Sequence, residues 1–156
     1  MLQWQLKEFS ELSLDELYAI IQLREQVFVV EQQAIYLDAD GADLSALHLM
    51  LWEHGALIAY ARILAPEAES VHFGRVCVRA SARHAELGTK LVQQILAEIK
   101  VRYSTMHIVI SAQQYLREFY QNLGFIAISA GYVTEDGISH LDMQLAPASL
   151  SVLKSK

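Results

Sequence analysis

The spacing of apolar residues divides this chain of 156 residues into predicted strands and helices. Apolar and polar residues alternate over residues 2–7, which predicts a half-exposed first strand. Ser13 then begins an amphipathic helix, because Glu16 completes a capping box, and we expect this helix to run to about Val30. The stretch 31–46 has no clear period and predicts a long loop, a kind of segment that is often functional.

The middle of the chain predicts three strands and a second helix. Residues 48–52 and 56–64 form a hairpin across a Glu-His-Gly turn. Residues 71–79 are mostly apolar and predict a central strand that is buried on both faces. The helix that follows, ending near Tyr103, has the clearest amphipathic pattern in the chain.

The last third of the chain predicts one more strand, a helix and a hairpin. The strand covers 107–111, and the helix covers 113–123 with Gly124 at its C′ position. The hairpin joins 125–133 to 138–145. The resulting order, β-α-β-β-β-α-β-α-β-β, predicts a mixed α/β (α+β) sheet with helices packed on it.

Length and composition favour one compact domain, residues 1–147, with a peripheral tail, 148–156. Hydrophobic residues make up 53% of the chain and charged residues 19%, which excludes a disordered protein. No apolar run approaches the ~20 residues of a membrane span. The N-terminus lacks the pattern of a secretory signal. One cysteine, Cys77, excludes an internal disulfide, and we expect no metal site and a cytoplasmic protein.

Charge is distributed unevenly along the chain. The net charge of −6 argues against nucleic acid as a partner. Residues 75–90 contain four Lys or Arg and one acid, whereas residues 31–53 contain five acids and no Lys or Arg. This asymmetry predicts two ligands of opposite charge, and an ordinary solvated surface is the alternative.

The stretch Ser70–Leu91 predicts an anion site. It reads as an apolar strand, a short polar turn and a helix with Gly88 near its start. The first N–H groups of a helix have no partner within the helix, and the helix dipole adds positive charge at that end. An ordinary strand–helix turn is the alternative interpretation.

Several segments resemble one known superfamily. The order of the elements, the strand–turn–helix from Val76 to Gly88, and FYQNLGF at 119–125 resemble the GNAT superfamily of acyl-CoA-dependent N-acyltransferases. The resemblance covers residues 2–146. Four further segments are similar to the ElaA group of bacterial acetyltransferases: LREQVFVVEQ (23–32), YLDADGAD (36–43), AYARIL (59–64) and DGISH (136–140).

The resemblance implies a fold and an activity. The GNAT fold has a mixed, mostly antiparallel sheet that is splayed in the middle, with helices on both faces. The implied activity is transfer of an acetyl group from acetyl-CoA to a primary amine, directly within a ternary complex. A non-catalytic acyl-CoA-binding or regulatory domain is the alternative that Glu86 and Gln113 favour. Another nucleotide-binding α/β protein is disfavoured, because neither G-x-G-x-x-G nor G-x-x-x-x-G-K-[ST] is present.

The resemblance also implies the coenzyme A contacts. The family's phosphate loop, Arg/Gln-x-x-Gly-x-Gly/Ala, aligns on 83–88, where Glu86 replaces the middle glycine. Backbone amides are what the pyrophosphate needs, so this replacement is tolerable if the carboxylate points to water. The implied contacts are Val76, Cys77 and Val78 for the pantetheine arm; Arg83, His84, Ala85, Glu86, Leu87, Gly88 and Thr89 for the pyrophosphate; and Gln113. The Cys77 side chain is expected to be a small buried group and not a nucleophile.

Three residues are candidates for the chemistry. Tyr120 matches the position of the family's general-acid tyrosine and would protonate or position the departing thiolate. Glu31 and His140 are the candidates for the base that takes the amine proton, because both are expected beside the acceptor pocket. The alternative for each of the three is a structural role.

The acidic loop predicts the sign of the acceptor. Asp38, Asp40 and Asp43 would attract a cation such as a polyamine, an aminoglycoside-like amine or a lysine side chain, with Tyr36 and His48 as further acceptor contacts. Capping and turn formation by the aspartates remain the alternative. A calcium loop is rejected, because Leu49 occupies the position of the bidentate Glu.

Aliphatic residues of the tail and the last hairpin are candidates for a homodimer contact.

Overall fold

The structure, a computed structural model, describes residues 1–83, 86–134 and 137–147. Within these ranges eight strands form one sheet in the order β1-β2-β3-β4-β5-β8-β6, and β7 also pairs with β8. All neighbours are antiparallel except β4 and β5. The strands are β1 Leu2–Glu8, β2 Leu47–Glu53, β3 Ala56–Ile63, β4 Ser70–Val78, β5 His107–Gln113, β6 Ile126–Ala127, β7 Tyr132–Val133 and β8 Ser139–Leu145. The predicted mixed, mostly antiparallel sheet is confirmed.

The helices are α1 Leu14–Arg24, α2 Leu87–Arg102 and α3 Arg117–Asn122, and a π-helix, Glu25–Glu31, continues directly from α1. The predicted capping box is present, since the Glu16 backbone N–H donates to Ser13 Oγ and the Ser13 N–H donates to Glu16 Oε1. The first helical segment ends where the spacing predicted, but its last seven residues are π-helical. Such π-turns are frequent at functional sites.

The core has two parts, one on each face of the sheet. Side chains of successive strand residues point to opposite faces. Leu49 and Leu51 therefore join the cluster under α2, whereas Met50 joins the cluster under α1. Each face of the sheet is covered by at least one helix, as the resemblance implied.

The sheet splays between β4 and β5. The two strands pair only where Ser70–His72 meets His107–Val109. Beyond that point β4 pairs with β3, and β5 pairs with β8. The prediction that the central strand is buried on both faces is therefore wrong for Gly74–Val76, which are half-buried and line the opening.

A bulge lies in β4 at this opening. Tyr60 pairs with Cys77 and Arg62 pairs with Gly74, so two residues of β4 oppose one residue of β3. Arg75, within the bulge, has a φ of 51°, which is unusual for a residue with a side chain. Strained backbone of this kind is often found at functional sites.

The C-terminal third differs from the prediction in two places. Gln113 is not the start of a helix, because it pairs with His140 as the last residue of β5. The helix begins at Arg117 after a short 3₁₀ turn, and Gly124, with a φ of 100°, ends it as predicted. The first arm of the final hairpin is reduced to β6 and β7.

Over the described ranges, no helix has the length and apolar character needed to cross a membrane. The tail, 148–156, lies outside the described residues.

Candidate active site

The splay of the sheet opens into a cleft with a volume of about 1330 Å³. Its walls come from the π-helix, the β4 bulge, the start of α2, the end of β5, α3 and the β7–β8 hairpin. The cleft therefore brings together most of the site residues that the sequence predicted.

The start of α2 forms one end of the cleft. By helix geometry the N–H groups of Leu87, Gly88 and Thr89 have no partner within the helix, and the Lys90 N–H is the first to bond back, to the Glu86 carbonyl oxygen at 3.1 Å. A Cβ placed on Gly88 would meet nothing within 4 Å, so the backbone there is open to a ligand. These groups fit a pyrophosphate. The predicted contacts His84 and Ala85 lie outside the described residues.

Glu86 occupies the position of the family's middle glycine in a conformation that suits glycine. Its φ is 57° and its ψ is 34°, the left-handed region that residues with a Cβ enter at a cost. The residue is exposed. Exposure is the condition under which a carboxylate is tolerable at this position.

The free edge of β4 forms the floor of the cleft. The Val78 carbonyl oxygen faces the cleft, since it accepts a hydrogen bond from Arg83 Nε at 2.9 Å. The Arg79 N–H faces the other way and donates to the Ile58 carbonyl oxygen at 2.8 Å. Backbone groups alternate in direction along a strand, so we expect the Val76 carbonyl oxygen, which adjoins the β3-facing N–H of Cys77, to face the cleft as well. Two of the three predicted pantetheine contacts thus direct backbone groups toward the cleft, and the Val78 carbonyl oxygen is already bonded to Arg83 Nε.

Cys77 is the exception among those three contacts. The same alternation turns its backbone groups toward β3, where it pairs with Tyr60. Its side chain is buried, and burial raises the pKa of the thiol above its ordinary value. A thiol that stays protonated is a poor nucleophile, which agrees with the expectation of a small buried side chain.

Arg83 and Glu31 contact each other across the cleft. Arg83 Nη2 lies 2.6 Å from Glu31 Oε1, and the side chains are 45% and 30% exposed. The sequence assigned Arg83 to the pyrophosphate and Glu31 to the amine, and it gave no sign that they pair. Beside them, Gln113 Nε2 donates to Gln32 Oε1 at 3.4 Å.

Tyr120 lies on α3 at the wall of the cleft and is only 5% exposed. Its ring packs edge-on against Phe119 and Phe125. Burial raises the pKa of its hydroxyl above the ordinary value. The hydroxyl has no hydrogen-bond partner among the described residues, so it is available to donate a proton.

His140 lies on β8 at the same cleft. Its Nδ1 lies 2.8 Å from the Ile138 carbonyl oxygen and 3.2 Å from Thr134 Oγ1. A carbonyl oxygen only accepts, so Nδ1 carries the hydrogen, and the lone pair of the neutral ring is on Nε2. The ring stacks on Tyr132 with a centroid distance of 6.3 Å. This arrangement fixes the tautomer that a general base needs.

The acidic loop, which the sequence assigned to a cationic acceptor, is paired with arginines from other parts of the chain. Asp38 and Asp43 bind Arg24 at 2.9 and 2.7 Å. The remaining pairs are Arg62–Asp40 at 2.7 Å, Arg62–Asp43 at 3.0 Å, Arg75–Asp38 at 2.8 Å and Arg75–Asp40 at 3.4 Å. Each carboxylate therefore has at least one guanidinium partner already. Of the three aspartates, Asp40 is the one that lines the cleft.

The arginines lower the pKa values of two of these carboxyls. Hydrogen bonds from Arg62 lower the pKa of Asp40, although partial burial opposes them. Burial raises the pKa of Asp43, but the hydrogen bonds and charges of Arg24 and Arg62 outweigh it and the net shift is downward. Both carboxylates are thus held in the charged form.

His48 does not reach the cleft, so its prediction as an acceptor contact is wrong. It is 1% exposed, with Nδ1 2.7 Å from the Tyr60 hydroxyl and Nε2 2.9 Å from the Asp43 carbonyl oxygen. Burial lowers its pKa, which favours the neutral ring.

Tyr36 does line the cleft, where its hydroxyl donates to Asp38 Oδ1 at 2.8 Å and its ring lies against Arg75.

The sequence interpretation missed the three arginines of this network. A signal was present, since Arg62 stands in the apolar strand AYARIL and Arg24 stands on the apolar side of an amphipathic helix. An arginine in a buried position needs a carboxylate partner, and the acidic loop supplies partners for both. No group of three or more His, Cys, Asp or Glu in the described ranges is placed to hold a metal.

Comparison with known proteins gives consistent results. The profile of the family described as "Acetyltransferase (GNAT) domain" matches residues 7–147. The protein ElaA of Escherichia coli is 41% identical over 147 residues, covering 92% of this chain and 95% of ElaA. The crystal structure of E. coli ElaA has a TM-score of 0.86 at 39% identity, covering 91% of this chain and 98% of that one. An acyl-CoA N-acyltransferase from Pseudomonas aeruginosa has a TM-score of 0.89 at 39% identity, covering 94% and 100%.

Proposed function

We propose, since the chain belongs to the GNAT acetyltransferase family, that it transfers an acetyl group from acetyl-CoA to a primary amine within a ternary complex. Family membership and the P. aeruginosa N-acyltransferase support an acyltransferase in general. The observation that carries the finer proposal is one cleft that combines free backbone groups of β4, the start of α2, and the side chains of Tyr120 and His140.

The residues present fit coenzyme A. The α2 amides and Arg83 would bind the pyrophosphate, and the Val76 and Val78 backbone groups would bind the pantetheine arm. Acetyl-CoA supplies the thioester, whose carbonyl carbon the amine attacks. Gln113 would add a contact only if it turns from Gln32.

The proposed chemistry has three parts. His140 Nε2, directly or through a water, takes a proton from the alkylammonium group of the acceptor, whose pKa is ordinarily about 10. The Val76 N–H stabilises the oxyanion that forms on the thioester carbonyl. Tyr120 protonates the departing thiolate, and its contribution is modest, because a free thiol has a pKa of only about 8.5.

The alternative is a non-catalytic acyl-CoA-binding or regulatory domain. Glu86 and Gln113 favour it, because both depart from the residues that the family carries at these positions. Tyr120 and His140 disfavour it, because pure binding requires neither an unpartnered phenol nor an oriented imidazole in the cleft.

Release of free thiol from acetyl-CoA, measured across a panel of aliphatic, aromatic and polycationic amines, separates the two functions. The enzyme produces thiol at a rate that depends on the amine. Saturable binding of coenzyme A without amine-dependent release from any of them would favour the binding domain.

The remaining properties are proposals as well. An amine acceptor, a cytoplasmic location and the lack of a nucleic-acid partner follow from the family and the charge. A homodimer contact through the β7–β8 hairpin and the tail is also proposed, and the exposed Val133 supports only the hairpin part.

A further inference from the structure

The ion pair between Arg83 and Glu31 joins the two halves of the cleft. Arg83 precedes the start of α2, the coenzyme A side, and Glu31 is the last residue of the π-helix, on the side proposed for the acceptor. Arg83 Nε is held by the Val78 carbonyl oxygen, and Nη2 by Glu31 Oε1. The guanidinium is thus fixed between the free edge of the central strand and the π-helix.

A pyrophosphate at the start of α2 would compete with Glu31 for this guanidinium. Arginine binds phosphate through two parallel hydrogen bonds, which are stronger than a single bond to a carboxylate oxygen. The existing pair is partly exposed, and exposed pairs contribute only about 0–1 kcal/mol. Exchange of the carboxylate for the pyrophosphate therefore costs little. The exchange also separates the Glu31 carboxylate from the pyrophosphate, two anionic groups that would otherwise share the Arg83 guanidinium.

We propose that Arg83 and Glu31 are a partner-exchange pair. The pyrophosphate of coenzyme A takes Arg83 from Glu31, and the released Glu31 carboxylate then binds the ammonium group of the acceptor. The inference rests on the proposed function, because it requires both ligands in this cleft. It gives Glu31 two partners in sequence and links occupancy of the cofactor side to affinity on the acceptor side.

This exchange predicts that loss of the Glu31 charge strengthens the binding of coenzyme A. Removing the Glu31 charge frees Arg83, so Glu31→Gln should bind coenzyme A about twofold to fivefold more tightly than the wild type, the range expected for a partly exposed pair. If the pair instead holds Arg83 ready for the ligand, the same substitution weakens binding. The direction of the change therefore decides between exchange and a static clamp.

Isothermal titration with coenzyme A provides the test, using the wild type, Glu31→Gln, Arg83→Gln and the double variant. Glu98→Gln is a matched control, because it removes the same charge from an ion pair with Arg102 on α2 outside the cleft. We expect tighter binding for Glu31→Gln, no further gain from Glu31→Gln when Arg83 is already Gln, and a change below twofold for Glu98→Gln. Unchanged or weaker binding by Glu31→Gln, or an equal gain with Glu98→Gln, would overturn the exchange.

A crystal structure with coenzyme A tests the release of Glu31 directly. We expect Arg83 on the pyrophosphate and the Glu31 carboxylate no longer bonded to it, and an intact pair in that complex would contradict the release. Failure of the proposed function gives a different result, because the wild type would then show no saturable coenzyme A binding.

Discussion

Arg75 Nε lies 2.8 Å from Asp38 Oδ1, and this pair joins the loop before β2 to the bulge of the central strand. Arg75 has a φ of 51°, so the pair fixes the side chain of a residue with a strained backbone. Because Val76 belongs to the same bulge, the position of the loop and the direction of the backbone groups in the cleft depend on each other. The acidic loop is thus part of the scaffold of the site.

The network should make stability depend on acid pH. The folded pKa of Asp43 lies below that of the unfolded chain, about 3.9. Its stabilisation is therefore complete above about pH 4 and is lost as the pH falls toward the folded value. Asp43→Asn leaves the buried Arg24 with one carboxylate fewer and should lower the free energy of unfolding at pH 7 by about 3 kcal/mol.

Urea unfolding at pH 7 and pH 3.5 measures this effect. The variant should lose less stability than the wild type between the two pH values, because one depressed carboxyl has been removed. Glu98→Gln is the control, since it breaks a surface pair and should change stability by less than about 0.5 kcal/mol. Equal pH dependence of wild type and Asp43→Asn would contradict a role of Asp43 in acid stability.

Glu86→Gly should relieve backbone strain at the start of α2. Glycine enters the left-handed region without a steric cost, so we expect a gain of about 0.5–1 kcal/mol in the free energy of unfolding. Coenzyme A should also bind more tightly, because a carboxylate has been removed from the proposed phosphate site. Glu86→Gln separates the two effects, since it removes the charge and keeps the strain. A Glu86→Gly variant less stable than Glu86→Gln would argue against strain at this position.

Tyr120→Phe should lower kcat by about tenfold and leave coenzyme A affinity unchanged. The phenol has no hydrogen-bond partner among the described residues, so its loss should cost little stability. Steady-state kinetics with a thiol reagent, beside a thermal melt, measures both properties. A variant that keeps full kcat over the pH range would show that the proton of the thiol comes from elsewhere.

His140→Asn should separate the structural hydrogen bond of His140 from its chemistry. The asparagine amide can replace Nδ1–H as the donor to the Ile138 carbonyl oxygen, but it offers no base in place of Nε2. We expect a fall of about 100-fold in kcat/KM at pH 7 with an unchanged melting temperature. A variant with the wild-type pH–rate profile would contradict the assignment of His140 as the base.

The sequence predicted those parts of the fold that depend on local patterns. The Ser13 capping box, the hairpin of 48–52 with 56–64 and the glycine stop at Gly124 are each encoded within a few residues, and each is confirmed. The splay between β4 and β5 and the family were expected from the resemblance and are also confirmed.

The partners of charged residues were not predictable in the same way. Arg24 and Arg62 meet the aspartates of the loop from 14 to 22 residues away along the chain, and Arg83 meets Glu31 from 52 residues away. Short-range sequence patterns do not indicate contacts between residues that lie so far apart along the chain. The count of acids in the loop therefore suggested a cation-binding surface, whereas the fold supplies those carboxylates with arginines.

The destination of the acetyl group shows whether the protein transfers it to an amine, as proposed. The wild type is incubated with acetyl-CoA labelled in the acetyl group and with the amine panel, and the label is followed by mass spectrometry while thiol is counted. We expect one labelled acetyl group, bound as an amide on the amine, for every thiol released. Thiol release accompanied by labelled acetate, with no labelled amide on any amine, would contradict it.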